Sequence, residues 1–469
     1  MEPTHGPARQ QPGELATGSG VRKDGALRRE HETFLLNAPA GSRTPALHRR
    51  ADTRPPPPVA RQPSPGGATR EEKMLEGKNL SRRELLRITS RYGAKAALFA
   101  AVTGSGLGAL GDFVARDARA QAKAKYRFRF GGSTINRKND RYLQTGLYQF
   151  IDYVEKGSDG EVNIQLLESA GACVEPSCGE KVANGVLDLG TSSSQNLGSV
   201  FPYSIALDFP FLWHDRAHVQ NMFYAPEMNK VYRDVWRKQY GVELFYASGE
   251  MRQVFLGQKF KDSKDIRTPA QMKGYKIRIT NSDMIRAFAV SIGMNPIPLA
   301  WTETLEGMKS GVVDCMETWP AAASGFGMTR VSTQEVRLDF CPGMVVVFMN
   351  TRKFEPLPDK IKEVFYTAGY KAMKDGYDGV TFAQEMVVGN GPKRDPKSDY
   401  GEHNFNQVKL TETEMEAFRS LGDVKKQAAI FDPIRKKLDG LAGLDVYGAL
   451  KEFAVKNKNK PLTPQKWWA

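Results

Sequence analysis

The stretch from Lys273 to Pro320, KGYKIRITNSDMIRAFAVSIGMNPIPLAWTETLEGMKSGVVDCMETWP, constrains the fold of this 469-residue chain more than any other. A short apolar strand, YKIRI, precedes a helix-like run ending at Gly293. A second extended piece, NPIPL, and another helical run then lead to the strand VVDCME. This β-α-β-α-β rhythm builds a mostly parallel sheet with a crevice at its strand ends. Arg278 lies inside the first strand. A guanidinium held in such a sheet points its planar fork at a carboxylate or phosphate. A structural ion pair at the strand end is the alternative.

A second unit of the same kind opens the ordered part of the chain. Tyr126–Phe130, Val162–Leu167 and Leu187–Thr191 read as strands, with helical patterns at about Arg141–Lys156 and Glu180–Gly185 between them. The two units share little sequence, which argues for two α/β lobes rather than a tandem repeat. Glu243–Tyr246 and Arg252–Leu256 carry the chain from one lobe to the other, and Met344–Asn350 returns it. Lys360–Val388 is one long helical pattern expected to run under both lobes. Thr411-x-x-Glu414 starts a further helix with a capping box. Beyond about Leu441 the tail is Lys-rich and ends in Trp467-Trp468, either packed on the surface or frayed. Several strand crossovers make a hinge natural, with ligand bound between the lobes.

The charge of +14 and the pI near 9.4 raise nucleic acid or an anionic membrane as partners. The excess is uneven, however. Residues 1–122 hold 20 basic and 12 acidic residues, which leaves 47 basic against 41 acidic in the remainder. No basic stripe interleaved with aromatics occurs there, so a solvated surface is expected and no nucleic-acid partner. Met1–Lys73 is rich in Pro, Gly, Arg and Ala, with no sustained apolar period, and is expected to be disordered or a mis-annotated extension. Met74 or a nearby codon is then the start. Residues 74–122 read as a twin-arginine signal peptide: Arg82-Arg83, a modestly apolar run from Gly93 to Leu110, and the cleavage pattern Ala118-Arg119-Ala120-Gln121-Ala122. A retained anchor is the alternative, but the run is short and interrupted by glycines.

All four cysteines fall after the signal segment, as suits an oxidising, periplasmic destination. Cys173 and Cys178 flank a turn and could close a small loop. Cys315 and Cys341 would be the other pair, with three connectivities open. His214 and His218 are the one histidine pair at helical spacing, expected on an exposed turn and helix rather than at zinc.

The Lys-Gly-x-Lys-Ile-Arg-Ile strand, Gly-x-x-Pro-x-Pro-Leu, and the Glu-x-x-x-x-x-x-x-Gly-x-Val-Asp run resemble the extracytoplasmic solute-binding proteins of TRAP transporters. Asp208–Trp213 and Val347–Pro358 are similar to further stretches of that family, so the likeness runs from about Tyr126 to Ala383. The resemblance implies an α/β, two-lobed, periplasmic binding protein-like (type II) fold with a central ligand cleft and a long helix spanning both lobes. Lobe I is expected at 123–249 plus about 340–383, lobe II at 250–339 plus about 384–440, and a tail at 441–469.

The same resemblance implies a ligand salt bridge from Arg278 and a second contact from Arg252, whose spacing to Arg278 is longer than the family's. At Asp314–Pro320 many members carry Gln-Glu-Asn-Pro, whereas this chain has Met316-Glu317-Thr318-Trp319-Pro320. The missing Asn argues against sialic-acid-type recognition. A Glu and a Trp here are similar to relatives that bind 2-oxo acids, which makes Glu317, Thr318 and Trp319 candidate contacts. Glu317 is also the candidate ligand for a sodium or calcium ion at the ligand site; no cofactor is otherwise required. From lobe I, Ser133, Asn136, Ser193 and Ser194 offer neutral hydrogen bonds, with Phe211 or Trp213 on the apolar side. The Cys173–Cys178 loop stands where the family places a ligand-facing loop.

The expected function is capture of a small organic acid, a monocarboxylate or 2-oxo acid by preference, and its delivery to the membrane permease subunits of an ion-gradient-driven transporter. A sensor component and a periplasmic enzyme are the alternatives. The chain has no GxSxG, no P-loop and no placeable Ser/His/Asp cluster, so no catalytic residue is expected. A homodimer stays open.

Overall fold

The computed structural model describes residues 124–468. The extension 1–73 and the twin-arginine segment 74–122 lie outside the described residues.

Among the described residues, hydrophobic alternation and β-branched runs give eleven strands in two mixed sheets. The first has the order β2-β1-β3-β10-β4, from Tyr126–Gly131 (β1), Val162–Leu167 (β2), Leu189–Ser193 (β3), Val242–Met251 (β4) and Pro342–Asn350 (β10). The second has the order β11-β9-β5-β8-β6-β7. Its strands are Gln253–Gly257 (β5), Lys276–Ile279 (β6), Asn295–Pro298 (β7), Cys315–Thr318 (β8), Ser332–Arg337 (β9) and Asn406–Lys409 (β11). The fold is two-lobed, one sheet to each lobe.

In each sheet one strand runs against its neighbours: β10 against β3 and β4, and β5 against β8 and β9. These are the strands that arrive from the other lobe. β5 follows β4 through Arg252, and β10 follows β9 through Leu338–Cys341. The two crossings bond to each other, Arg252 N to Cys341 O at 2.8 Å and Phe340 N to Arg252 O at 3.3 Å. β4, β5 and β10 are buried along their whole length, so the crossings start and end in the two cores.

The long helix runs over Asp359–Ala383 and continues as a π turn, Gln384–Val388. It lies along the first lobe, against β4 and helix Leu147–Gly157, and its π turn packs against helix Pro320–Gly325 of the second. The single helix expected at Arg141–Lys156 is two, Arg137–Leu143 and Leu147–Gly157. The break is at Gly146 (φ 75°), where an added Cβ would lie 2.6 Å from the Ala372 carbonyl oxygen of the long helix. Only a residue without Cβ allows that approach.

The capping box at Thr411 and Glu414 is present. Helix Ala428–Ala442 packs on helix Asp283–Ser291 of the second lobe and on helix Arg233–Tyr240 of the first. The tail is packed and contains a helix, Val446–Asn457. Trp467 is buried over Arg233, 4.1 Å from the guanidinium carbon to its ring, and Trp468 stacks on Tyr366. Among the described residues no helix is long and apolar enough to cross a membrane.

Candidate functional site

The C-terminal ends of β6, β7 and β8 and the Arg252 crossing bring one carboxylate between two guanidinium groups. Glu317 is the third residue of β8, with Arg278 paired to Met316 in the neighbouring strand. Its Oε2 accepts from Arg252 Nε, and its Oε1 accepts from Thr280 N at 2.8 Å. Arg278 Nη1 stands 3.7 Å from Oε1, an ion pair outside hydrogen-bond distance. All three side chains are at most 2% exposed. A buried charge is tolerable only when paired, and here two positive charges share one negative.

The two arginines differ in what remains free. Arg252 is engaged at all three nitrogens, with Nη1 on Gln195 Oε1 at 3.5 Å and Nη2 on the Glu317 carbonyl at 3.4 Å. Burial lowers its pKa most strongly, but the Glu317 charge and hydrogen bond together with the Cys341 and Asp208 charges outweigh it and hold the pKa above the ordinary value. Arg278 donates from Nε to Leu299 O at 3.0 Å, while Nη1 and Nη2 have no hydrogen-bond partner. Burial lowers its pKa to about 10; Glu317 opposes the shift and Arg252 adds to it. At neutral pH it is a charged, buried fork whose terminal nitrogens donate no hydrogen bond.

The first lobe carries buried neutral groups at its strand ends. The hydroxyls of Ser133, just past β1, and of Thr191, Ser192 and Ser194, at the end of β3, are buried without a partner, as is that of Thr280 at the end of β6. Gln195 links the lobes: its Nε2 donates to Asp208 Oδ1 at 2.6 Å and to Pro342 O at 2.8 Å, and its Oε1 accepts from Arg252. Asp208 also accepts from Ser282 Oγ of the second lobe at 2.7 Å. Its burial raises its pKa to about 7, against the lowering effect of the Ser282 and Gln195 hydrogen bonds.

A cavity of about 170 Å³ opens between the lobes. Glu175, Pro176 and Asn196 line it from the first; Asn281, Leu299, Trp301 and Glu303 are among its lining from the second. Arg278 lies behind that second wall, bonded to Leu299 and with its guanidinium carbon 5.3 Å from the Trp301 ring centroid. Charge at the strand ends, orphaned donors and an inter-lobe cavity thus lie close together, an arrangement whose chemistry suits an anion.

Residues 133–380, just over half of the chain, match the family profile described as bacterial extracellular solute-binding protein, family 7. The chain belongs to this family. It is 26% identical over 230 residues to the 2,3-diketo-L-gulonate-binding periplasmic protein YiaO of Escherichia coli, covering 48% of this chain and 66% of that one. It spans less than two thirds of the length of the first curated relatives it matches, 66%, 50% and 65%. In fold it is similar to a TRAP periplasmic solute-binding protein of Desulfovibrio salexigens with bound orotic acid. The TM-score is 0.59 and the identity 19%, with 71% of this chain and 99% of that one covered. The galactonate complex of a sugar acid binding protein from Advenella mimigardefordensis gives a TM-score of 0.58 at 17% identity, again covering 71% and 99%.

Against the expectations drawn from this family, the structure brings Arg278, Arg252 and Glu317 into direct contact. It also places Thr318 and Trp319 beside them at the end of β8, both buried. Trp319 packs where a Cβ added to Gly343 would meet Arg252 and the indole at 3.2 and 3.3 Å, so Gly343 makes room for both. Ser193 lies at the end of β3, its Oγ on Gln195 and its N–H on Glu175 Oε1 at 2.5 Å. Asn136 is employed elsewhere: its Oδ1 caps helix Arg137–Leu143 at Lys138 N and Asn139 N, and its Nδ2 donates to Ser169. Phe211 packs edge-on to Phe288 of the second lobe. Trp213 is core, donating to Leu207 O.

Two expectations are corrected. Cys173 and Cys178 form a disulfide, but Cys315 and Cys341 are free and buried. Cys315 pairs with Leu256 of β5, whereas Cys341 bonds at Arg252, four residues earlier. Four residues of extended chain span about 13 Å, far beyond the Cα separation of a disulfide, about 7 Å at most. His218 is buried rather than exposed; its Nδ1 accepts from His214 N, and burial lowers its pKa. A cation does not fit at Glu317, whose carboxylate is enclosed by two guanidinium groups. Among the described residues no cluster of three or more His, Cys, Asp or Glu suits a metal.

Sequence reasoning passed over Glu175, Gln195, Asp208 and Trp301 as individual contacts. Trp301 had a signal, since it opens the helix three residues after the end of β7. Glu175 lies inside the Cys173–Cys178 loop, which was read as ligand-facing without a residue being chosen.

Proposed function

We propose that this chain is the capture receptor of a TRAP transporter, binding a small monocarboxylate, 2-oxo acids included, between its two lobes. The single observation that carries this reading is Arg278: wholly buried, charged, and with both terminal nitrogens lacking a hydrogen-bond partner. An unsatisfied buried donor is costly, and a carboxylate answers two parallel N–H groups at once. Three relatives point the same way, since their ligands, a diketogulonate, orotic acid and galactonate, each carry a carboxylate on a polar body.

The capture cycle needs no chemistry. An open cleft admits the acid, Arg278 pairs with it, and the hydroxyls of β1 and β3 close over it. Closure follows because the ligand has more contacts in the closed state than in the open one. The closed receptor, exported to the periplasm by the twin-arginine route, then docks on an ion-gradient-driven permease. Family membership supports this partner and compartment; the twin-arginine motif supports the route. A thermal-shift screen of an organic-acid library on the wild-type protein tests the reading. Monocarboxylates are expected to raise Tm in proportion to the logarithm of their concentration above Kd. A library of acids that leaves Tm unmoved would refute it.

A further inference from the structure

The disulfide loop brings a second charge to the cleft. Glu175 stands between Cys173 and Cys178, and the loop is tied down by the disulfide and by Ser177 Oγ, which donates to Val174 O. The Glu175 carboxylate accepts from Ser193 N at 2.5 Å through Oε1, and from Asn196 Nδ2 through Oε2. An ionised carboxylate offers about four acceptor sites, so these two bonds orient the group without exhausting it. It lines the inter-lobe cavity, and its charge reaches Arg278, where it opposes loss of the proton. Glu303 adds a second, exposed carboxylate to the opposite rim, beside Asn281. The cleft is therefore polarised, with a buried guanidinium behind Leu299 and Trp301 and one fixed anion, Glu175, on the side of the disulfide loop.

We propose that Glu175 reads the end of the ligand remote from its carboxylate, so that the cleft accepts monocarboxylates carrying a hydrogen-bond donor there and rejects dicarboxylates. The proposal rests on the reading of Arg278 as the carboxylate partner. A hydroxyl or an ammonium at the far end donates to the free lone pairs of Glu175, and the neutral amides of Asn196 and Asn281 suit either. A second carboxylate meets Glu175 and Glu303 with like charge, in a cavity too narrow for full screening. Discrimination by repulsion of this kind is a common route to specificity. The cavity volume, about 170 Å³, suits a compact acid.

The test is titration calorimetry of the full-length chain with straight acids of four to six carbons. All share one carboxylate and differ at the far end as methyl, hydroxyl, ammonium or second carboxylate. Wild type is expected to bind the hydroxyl and ammonium acids about a hundredfold more tightly than the dicarboxylates. The hydroxyl and ammonium arms show which donor is the better fit. Glu175→Gln is expected to shrink that ratio below about tenfold, chiefly by a gain in dicarboxylate affinity. Dicarboxylates binding wild type as well as the donor-bearing acids do, or a Glu175→Gln protein with an unchanged ratio, would overturn the proposal while leaving Arg278 in place. Arg278→Ala distinguishes the deeper failure: unaltered affinity for all four classes, or no binding of any class by wild type, would overturn the carboxylate reading and this inference with it. Should Glu175→Gln not fold, Glu175→Asp and the wild-type ratio carry the test, the aspartate preserving the preference for donor-bearing acids.

Discussion

The two walls of the cleft are built on opposite principles. The second lobe presents charge that is desolvated in advance: Arg278, Arg252 and Glu317 are buried and locked by one another and by Thr280 N. The first lobe presents hydroxyls and amides from the ends of β1 and β3, several of them unpartnered. One wall thus supplies the force that recognises an anion, and the other supplies hydroxyls and amides beside the single Glu175 carboxylate. A charged wall must be rigid, because two guanidinium groups around one carboxylate are stable only with all three in place. A hydroxyl wall can lose a member without collapse.

That contrast is most severely tested at Glu317. Glu317→Ala leaves two buried positive charges uncompensated and is expected to lower the free energy of unfolding by about 3–5 kcal/mol. Urea denaturation checks this, and a loss within 1 kcal/mol would mean that the charged wall is not a unit.

Asp208, where the walls meet, predicts a pH dependence. Burial raises its pKa from 3.8 to about 7, so the folded protein favours the protonated acid. Its contribution to stability is therefore complete below pH 4 and is lost as pH rises through 7. Wild type should lose stability relative to Asp208→Asn across that range; parallel curves would remove the assignment.

Opening the Cys173–Cys178 ring, whose partners are five residues apart, is expected to cost about 2 kcal/mol on the chain-entropy scale. Denatured but unreduced protein should titrate two thiols, those of Cys315 and Cys341. Zero thiols would restore the second disulfide. The smallest effect belongs to the neutral wall: Ser192→Ala should change unliganded stability by no more than about 0.5 kcal/mol, since its hydroxyl has no partner to lose. A loss above 2 kcal/mol in equilibrium unfolding would show that the neutral wall is as interlocked as the charged one.

Much of this architecture was legible residue by residue, and the misses have a common cause. Arg278 could be found because an arginine in an apolar strand breaks a local pattern that sequence displays. The Arg252–Glu317 pair could not be read that way. The two residues are 65 positions apart and meet through the antiparallel register of β5 on β8, which no local period reveals. The same register separates Cys315 from Cys341, defeating a pairing made by elimination. The helix break at Gly146 depends on a carbonyl more than two hundred residues away. Asn136 was legible as polar and near the cleft, but its cap position, followed by Asn139 three residues on, was the better signal. Local chemistry was readable; pairing over long separations was not.

The central claim is that the Arg278 fork exists to hold a ligand carboxylate. Calorimetry of the best-binding monocarboxylate against wild type and Arg278→Ala tests it most directly, with circular dichroism confirming that the variant folds. The account predicts a loss of about 2–5 kcal/mol of binding free energy, some thirtyfold to several thousandfold in Kd. An Arg278→Ala protein that binds the acid within threefold of wild type would contradict it.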